Sequence, residues 1–189
     1  MPPEFFEVEA CRTRPRVYLF RHSGDCAYYM TMARTNDQSL LETAIGIALR
    51  AHAGQRDRAG KPYITHPLRM MGRARTDDER IVAVLHDTVE DGGPNGVSMA
   101  SLEEAGFPPR ILRAVDRLTR RKASLFPDRS DDEPYEAFVE RTAGDPLARA
   151  VKLLDLQDNM DLSRLSEITD ADLERLNRYV RAWHRLIGT

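Results

Sequence analysis

The stretch that decides the fold runs from an apolar segment into a charged one, and it reads Ile81-Val82-Ala83-Val84-Leu85-His86-Asp87-Thr88-Val89-Glu90-Asp91. Its five apolar residues would face all sides of a helix, which is typical of a helix buried within a bundle. The four ionisable groups that follow would be costly at a buried helix end unless each had a partner. We therefore predict a buried helix from Glu79 to about Asp91, with Asp77 or Asp78 as its N-cap.

Helical periodicity continues on both sides of this stretch. Apolar residues recur at every third or fourth position from Ser39 onward, and Gly54 ends that first helix. Pro67 is well placed to open a second helix, over residues 68–75. Further helices are predicted over 98–106, from 108 or 109 onward, and over 135–142, 146–159 and 170–187, with a charged mobile loop over 120–133. No alternating strand pattern competes, so the sequence predicts an all-α fold.

Length and composition limit the domain organisation and the class of partner. The chain has 189 residues, enough for one domain with a hydrophobic core. Residues 1–36 show no persistent period, and we predict an N-terminal arm there, either poorly ordered or an upstream extension. Residues 37–189 would form the folded domain. A formal net charge of −2 argues against a nucleic-acid partner, and no apolar run is long enough to cross a membrane.

The cysteines and the N-terminus favour a cytoplasmic location. Cys11 and Cys26 do not have the spacing of a zinc site, and a reducing compartment is the simpler interpretation. The apolar run over residues 17–20 is too short for a signal peptide.

Two histidines and two aspartates are candidate metal ligands: His66, His86, Asp87 and Asp155. His66 precedes Pro67, which would hold its backbone outside the helical region at a loop-to-helix junction. Asp155 stands among leucines and needs a cation, either a metal or Lys152 three positions away. This mixed nitrogen and oxygen set suits Mn²⁺, Fe²⁺ or Zn²⁺ better than Ca²⁺.

Each of these residues also has a purely structural explanation. His66 would be a packed or capping residue, and Asp155 would form an ion pair with Lys152. Glu90 and Asp91 would belong to a solvated helix end. His52 is interpreted as structural or supporting.

Taken together, the ionisable residues predict a metal-dependent phosphohydrolase. A metal would lower the pKa of a bound water and polarise a phosphoryl oxygen. Glu90 and Asp91 would position or deprotonate that water. The nearest cations in sequence that can hold phosphate oxygens are Arg58, Lys61 and Arg69.

Four ordered motifs add a family resemblance, and they read Ala51-His52-x-Gly54-Gln55, Gly60-x-Pro62-Tyr63-x-x-His66-Pro67-Leu68, Leu85-His86-Asp87-x-x-Glu90-Asp91 and Lys152-Leu153-x-Asp155-x-x-x-Asn159-Met160. Over roughly residues 40–187 they resemble the hydrolase domain of RelA/SpoT-type proteins, and especially the stand-alone small alarmone hydrolases.

The resemblance implies an HD-domain helical bundle with a single metal centre. Mn²⁺, or another divalent transition metal, would be held by His66, His86, Asp87 and Asp155, and Glu90 with Asp91 would activate water. Asn159 would line the nucleoside pocket and Tyr63 would support its wall. The reaction implied is removal of the 3′-pyrophosphate from (p)ppGpp, a step of the stringent response, with no synthetase domain after the last helix.

Some positions depart from the family pattern, and they bear on the substrate. Asp57 stands where a basic residue is usual, while Asp158 and Asp161, predicted on the solvated side, make the nucleoside region acidic. A ppApp-type alarmone or NADPH is therefore an alternative substrate. A non-catalytic nucleotide-binding helical module is the other alternative, although Glu90 and Asp91 argue against it.

Overall fold

The computed structural model describes residues 17–18, 31–32, 39–91, 96–126, 128 and 130–188. The chain divides into two compact units, Met1–Ser39 and Leu40–Thr189. In the first unit, strand β1 (Val17–Tyr18) pairs antiparallel with strand β2 (Thr31–Met32). The rest of the predicted arm over residues 1–36 lies outside the described residues.

All named secondary-structure elements in the described part of the second unit are helices, which confirms the all-α prediction for this part of the chain. Its elements are α1 (Leu40–Ala51), α2 (Thr65–Arg73), α3 (Asp77–Leu85), α4 (Met99–Glu104), α5 (Pro109–Leu118), α6 (Tyr135–Ala143), α7 (Pro146–Asn159) and α8 (Asp170–Ile187), with a 3₁₀ turn over Leu162–Arg164. No helix in the described part of the chain is long and apolar enough to span a membrane.

Helix α3 is the centre of the bundle, as its sequence predicts. It packs against α1, α2, α5 and α7. All five residues over 81–85 are buried in the main hydrophobic core. Burying each such side chain favours folding by roughly 1.5–3 kcal/mol, so this run fixes α3 at the core. The next residue along the chain, His86, is therefore delivered to the interior.

The start of α2 differs from the prediction. The helix begins at Thr65, so His66 and Pro67 lie inside its first turn, and the prediction that Pro67 holds His66 outside the helical region is wrong. A proline is tolerated in the first turn because the N–H groups there have no partner within the helix.

Both ends of α3 also differ from the prediction. Its N-cap is Thr76, whose side chain accepts a hydrogen bond from the Glu79 N–H, and not Asp77 or Asp78. The α-helix ends at Leu85 instead of reaching Asp91. The Leu85 carbonyl accepts from both the N–H and the hydroxyl of Thr88, at 3.0 and 2.8 Å, and this tight turn ends the helix.

The segment over 120–133 was predicted as a mobile loop, and side chains hold its described ends. Arg141 donates to both carboxylate oxygens of Glu133, at 2.8 and 2.7 Å. The same guanidinium donates to the backbone carbonyls of Asp116 and Thr119. The Arg120 N–H donates to the Glu90 carboxylate at 2.7 Å. These bonds tie the loop to α5, α6 and the turn after α3.

Candidate metal centre and adjoining cleft

Two histidines and an aspartate from different elements meet in the interior of the helical unit. His66 comes from α2, His86 from the turn after α3 and Asp155 from α7, and all three are buried. One potential ligand atom from each lies within 4.8 Å of the others. The Asp155 Oδ1 is 3.2 Å from the Nε2 of His66 and 3.9 Å from the Nε2 of His86. This group can hold a metal ion.

The hydrogen bonding of His86 fits a metal ligand. Its Nδ1 lies 2.8 Å from the carbonyl oxygen of Ala83, a contact that the ring makes only as a donor. The Nε2 is then free to act as an acceptor, and it is buried with no hydrogen-bond partner among the described residues. Leaving such an atom unsatisfied costs about 1–3 kcal/mol. A metal ion would satisfy it, in the arrangement usual for ligating imidazoles.

Asp87 lies beside this group. Its Oδ2 is 2.9 Å from the Nε2 of His86 but is not aligned for a hydrogen bond, and it accepts a hydrogen bond from the Tyr63 hydroxyl. Burial opposes the charge on Asp87, but the neighbouring His86 and His66 outweigh it and hold the carboxyl pKa well below its usual range. Burial, with Asp87 nearby, raises the pKa of Tyr63, so its hydroxyl remains a donor.

Asp155 forms the ion pair with Lys152 that the sequence offered, and its other oxygen faces the two histidines. Its Oδ2 accepts from the Lys152 ammonium at 2.7 Å, while its Oδ1 faces the histidines and accepts from the Asn159 amide at 2.5 Å. Burial alone would raise the pKa of Asp155, but Lys152 and His66 hold it well below its usual range. The carboxylate is therefore charged. One of its oxygens is bonded to Lys152, and the other faces the two histidines.

Asp158 was predicted on the solvated side, and that prediction is wrong. Its side chain is fully buried, and its Oδ2 lies 2.8 Å from the Nδ1 of His66. Residues three apart share a helix face, so the face of α7 that carries Asp155 also turns Asp158 toward α2. Burial alone would lower the pKa of His66, but its bonds to the two carboxylates raise that pKa to about 9.

Arg69 was predicted as a cation that can hold phosphate oxygens, but in the structure its side chain binds Asp158. Its guanidinium donates from Nε and Nη2 to the two carboxylate oxygens of Asp158, at 2.8 and 2.7 Å.

A cavity of about 390 Å³ opens beside the cluster, and its wall includes Asp87, Glu90, Asp91 and Asp155. The Lys122 ammonium lies 2.9 Å from a carboxylate oxygen of each of Glu90 and Asp91. Burial raises the pKa of Glu90 in spite of its bonds to Lys122 and to the Arg120 N–H. The structure thus places both predicted water-activating residues on the wall of the same cavity.

His52 supports this wall from behind. Its Nδ1 lies 2.8 Å from the Oε1 of Gln55, and the Gln55 amide donates to the backbone carbonyl of Asp91 at 2.7 Å. The His52 ring also packs on Tyr63, with the ring centroids 4.8 Å apart. This placement agrees with the supporting role that the sequence suggested.

A second cavity, of about 340 Å³, shares Tyr63, Asp91, Asn159 and Tyr179 with the first. Its further lining includes four arginines, Arg56, Arg58, Arg164 and Arg175, together with Asp57 and Asp161. Of the four residues predicted to bind substrate, Arg58, Tyr63 and Asn159 reach this cleft. Lys61 lies outside both cavity walls, and its backbone N–H donates to Asp57 at 2.8 Å.

Sequence reasoning missed several residues of the cleft, which are Arg120, Tyr135, Arg175, Arg178 and Tyr179, and it also missed Lys122, which pairs with Glu90 and Asp91. Arg175 and Tyr179 are four positions apart on α8, so they share one face of that helix. This spacing was the one signal in the sequence that could have placed them together. Arg120 and Lys122 lie in the irregular segment over 120–133, where no period exists to place a side chain.

The fold and the cluster together define an all-helical bundle of the HD type, with two histidines and one aspartate as a candidate metal-binding group. No family model matches the chain.

Comparison with curated proteins gives relatives over much of the chain. A probable GTP pyrophosphokinase of Mycobacterium leprae is 32% identical over 130 residues, which are 67% of this chain and 16% of that protein. A GTP pyrophosphokinase of Myxococcus xanthus is 30% identical over 79% of this chain and 21% of its own length. A guanosine-3′,5′-bis(diphosphate) 3′-pyrophosphohydrolase of Aquifex aeolicus is 31% identical over 64% of this chain and 17% of its own length.

These relatives are RelA/SpoT-family proteins, and the chain is a homologue that carries a RelA/SpoT-type domain. The resemblance of the sequence motifs is confirmed at that level. The chain spans about a fifth of the length of these relatives. The names of these relatives include both a GTP pyrophosphokinase activity and a guanosine-3′,5′-bis(diphosphate) 3′-pyrophosphohydrolase activity.

Proposed function

We propose that the chain is a metal-dependent phosphohydrolase that removes the 3′-pyrophosphate from (p)ppGpp-like alarmones, leaving GDP or GTP. The observation that carries the proposal is the buried Nε2 of His86, which makes no hydrogen bond among the described residues although carboxylate oxygens of Asp87 and Asp155 lie 2.9 and 3.9 Å away. It lies in the cluster with His66 and Asp155, next to a cavity whose wall holds Glu90 and Asp91. A domain that only bound a nucleotide would have no need of this combination.

His66, His86 and Asp155 would hold the metal, with Asp87 as the fourth ligand and Mn²⁺ as the expected ion. When bound, such an ion supplies a water of lowered pKa and polarises a phosphoryl oxygen. Tyr63 orients Asp87 through its hydroxyl, and Asn159 orients Asp155 through its amide. Both are therefore expected to hold the carboxylates in place as well as to line the cleft.

Glu90 is the better candidate for the group that takes a proton from water. It is the more buried of the two carboxylates, and burial raises its pKa toward the range that suits a general base at neutral pH. Asp91 lies at the more exposed edge of the cavity and would position the water. Lys122 forms an ion pair with each of the two side chains and would fix their positions on the cavity wall.

The arginines of the second cavity suit a substrate with a second anionic end. Arg58 has a largely exposed side chain with one ion pair, to Asp172 at 3.3 Å, so it can turn toward a ligand. Tyr63 and Asn159, which line both cavities, would then flank the nucleoside, between the two phosphate-bearing ends of the substrate. Asp57 and Asp161 also line this cavity and make it more acidic. For this reason the proposal does not choose between guanine and adenine as the base of the nucleotide.

Hydrolysis of a nucleotide panel tests the proposal. The purified chain, supplemented with Mn²⁺, is incubated separately with ppGpp, ppApp and NADPH, and released pyrophosphate and orthophosphate are measured. We expect pyrophosphate from ppGpp, lost in His86→Ala and retained in His184→Ala, a control on the exposed surface of α8. If the chain prefers ppApp, or releases orthophosphate from NADPH, that nucleotide would take the place of ppGpp as the proposed substrate.

Two further outcomes would overturn the proposal. Failure to turn over any of the three compounds would leave a nucleotide-binding module. Because pyrophosphokinase names occur among the relatives, the chain is also incubated with ATP and GDP. Formation of ppGpp in that reaction would make the chain a synthetase.

A further inference from the structure

Asp158 is the most heavily bonded carboxylate next to the metal-binding group, although it is not a member of that group. Its side chain is fully buried between α7 and α2. Arg69 donates to both of its oxygens, at 2.8 and 2.7 Å, and Arg73 approaches one of them at 3.3 Å. From the other side, Arg164 donates to its backbone carbonyl at 2.6 Å.

Asp158 also contacts Arg164, whose Nη2 lies 3.5 Å from its Oδ2, and the metal-ligand candidate His66. An imidazole presents its two nitrogens in different directions, so fixing one fixes the other. With Nδ1 held 2.8 Å from Asp158, the Nε2 faces Asp155 at 3.2 Å. When a metal takes the place of the proton on Nε2, a carboxylate in this position keeps the remaining proton on Nδ1 and so fixes the ring as a ligand.

We propose that Asp158 is a positioning residue for His66, and that Arg69 in turn fixes Asp158. The inference rests on the metal centre of the proposed function but not on its substrate or its reaction. His86 is oriented differently, by a backbone carbonyl at Ala83. The two histidines of the cluster thus have separate supports, and only the support of His66 can be removed by a side-chain substitution.

A merely structural ion pair would not require the contact with His66. Arg69 alone matches the two oxygens of Asp158 in a bidentate pair, which is the favourable geometry for a buried carboxylate. The histidine contact is additional, and it comes from the same face of α7 that supplies Asp155. Docking of α2 on α7 therefore sets the ligand oxygen and the orientation of the ligand imidazole at once.

Asp158→Asn tests the inference, because the amide keeps the size of the side chain and loses its charge. A matched control is Asp78→Asn, which breaks a bidentate pair with Arg110 on the surface, away from the cluster. Mn²⁺ affinity is measured by electron paramagnetic resonance of the free ion. We expect a fall of about 10–100-fold in Asp158→Asn, as for other partners of metal-ligating histidines, and wild-type affinity in Asp78→Asn.

A second readout separates positioning from stability. In the ¹⁵N-labelled, Zn²⁺-loaded protein, the Nδ1 proton of His66 should resonate downfield in the wild type and move upfield in Asp158→Asn. Urea unfolding compares the free energy of unfolding of Asp158→Asn with that of the control Asp78→Asn. If Asp158→Asn does not fold, Arg69→Lys keeps the carboxylate and removes only the bidentate fork, and a smaller fall in affinity is expected.

Wild-type Mn²⁺ affinity and an unmoved His66 proton in Asp158→Asn would overturn the inference. So would a loss of affinity no larger than that in Asp78→Asn at equal stability. A wild-type chain that binds Mn²⁺ with this dependence on Asp158, yet hydrolyses no nucleotide, would overturn the proposed function and leave the role of Asp158 standing.

Discussion

His86 receives its orientation from the end of its own helix. Because α3 stops at Leu85, the carbonyl of Ala83 has no helical N–H partner, and it accepts from the Nδ1 of His86. The sequence predicts a buried His86-Asp87 pair, since five buried residues precede it. It does not predict which ring nitrogen is free, because that depends on where the helix ends to within one residue.

Asp158 is a residue whose burial the sequence does not predict. Periodicity along α7 places it three positions from Asp155, but the sequence does not reveal which face of α7 meets α2. Its partners, the buried His66 and the partly exposed Arg69, are about ninety positions away in the chain. Contacts of that kind come from packing between helices, which patterns within one helix do not encode.

The role proposed for Glu90 is tested by Glu90→Gln. Glutamine keeps the shape of the side chain but accepts no proton, so we expect turnover of the preferred nucleotide to fall by about 10²–10⁴-fold. Metal content should be unchanged, because Glu90 is not among the clustered ligands. Initial rates and elemental analysis are the measurements. Glu103→Gln, on the exposed side of α4, is the control, and a parental rate in Glu90→Gln would reject the role.

At the scale of elements, the helices were largely predictable, but the start of α2 and both ends of α3 were not. The predicted spans over 146–159 and 170–187 agree with α7 and α8. Apolar periodicity runs through the middle of a helix, while its ends depend on single hydrogen bonds such as that from Thr88 to Leu85. Thr76 was overlooked as a cap because acidic residues at 77 and 78 compete for the same position.

The cap of α3 can be tested by Thr76→Ala. Removing the acceptor for the Glu79 N–H should lower the free energy of unfolding by about 1 kcal/mol. The measurement is the urea midpoint at neutral pH. Thr76→Ser keeps a capping hydroxyl and should stay close to the parent, whereas equal loss in both variants would show that the methyl group matters and the cap does not.

The anchor of the 120–133 segment predicts a pH dependence. The Arg141 guanidinium holds the pKa of Glu133 below its usual value of 4.5. A carboxyl whose pKa is lowered by folding adds stability above that value, and the contribution is lost as the pH falls. We therefore expect Glu133→Gln to be less stable than the parent at pH 7, with the difference shrinking below about pH 4.5.

Chemical unfolding of parent and Glu133→Gln across that pH range provides the measurement. Glu104→Gln, on the exposed side of α4, is the control and should differ little from the parent at any pH. A gap between parent and Glu133→Gln that stays constant down to pH 3 would contradict the ionic anchor.

At the scale of the whole helical unit, the candidate site forms where three elements converge. The metal-binding group needs α2, the turn after α3 and α7 to be packed together, so it exists only in the folded chain. The sequence predicts the members of the site through separate motifs. It does not predict the cleft beside them, because Arg175 and Tyr179 come from α8 and Arg120 from an irregular segment.

This convergence makes metal binding and folding interdependent. An ion that binds the folded state alone stabilises it by about 2.7 kcal/mol at a hundred times its dissociation constant. For a unit of this size, that corresponds to a rise in Tm of roughly 5–11 °C. We expect Mn²⁺ to raise the Tm of the chelator-treated protein by this amount, and Ca²⁺ to raise it little because two ligands are imidazoles. Asp155→Asn should lose most of the Mn²⁺ effect and Asp78→Asn should keep it, both measured by calorimetry. An equal rise in Asp155→Asn and the parent would mean that the ion binds elsewhere on the chain.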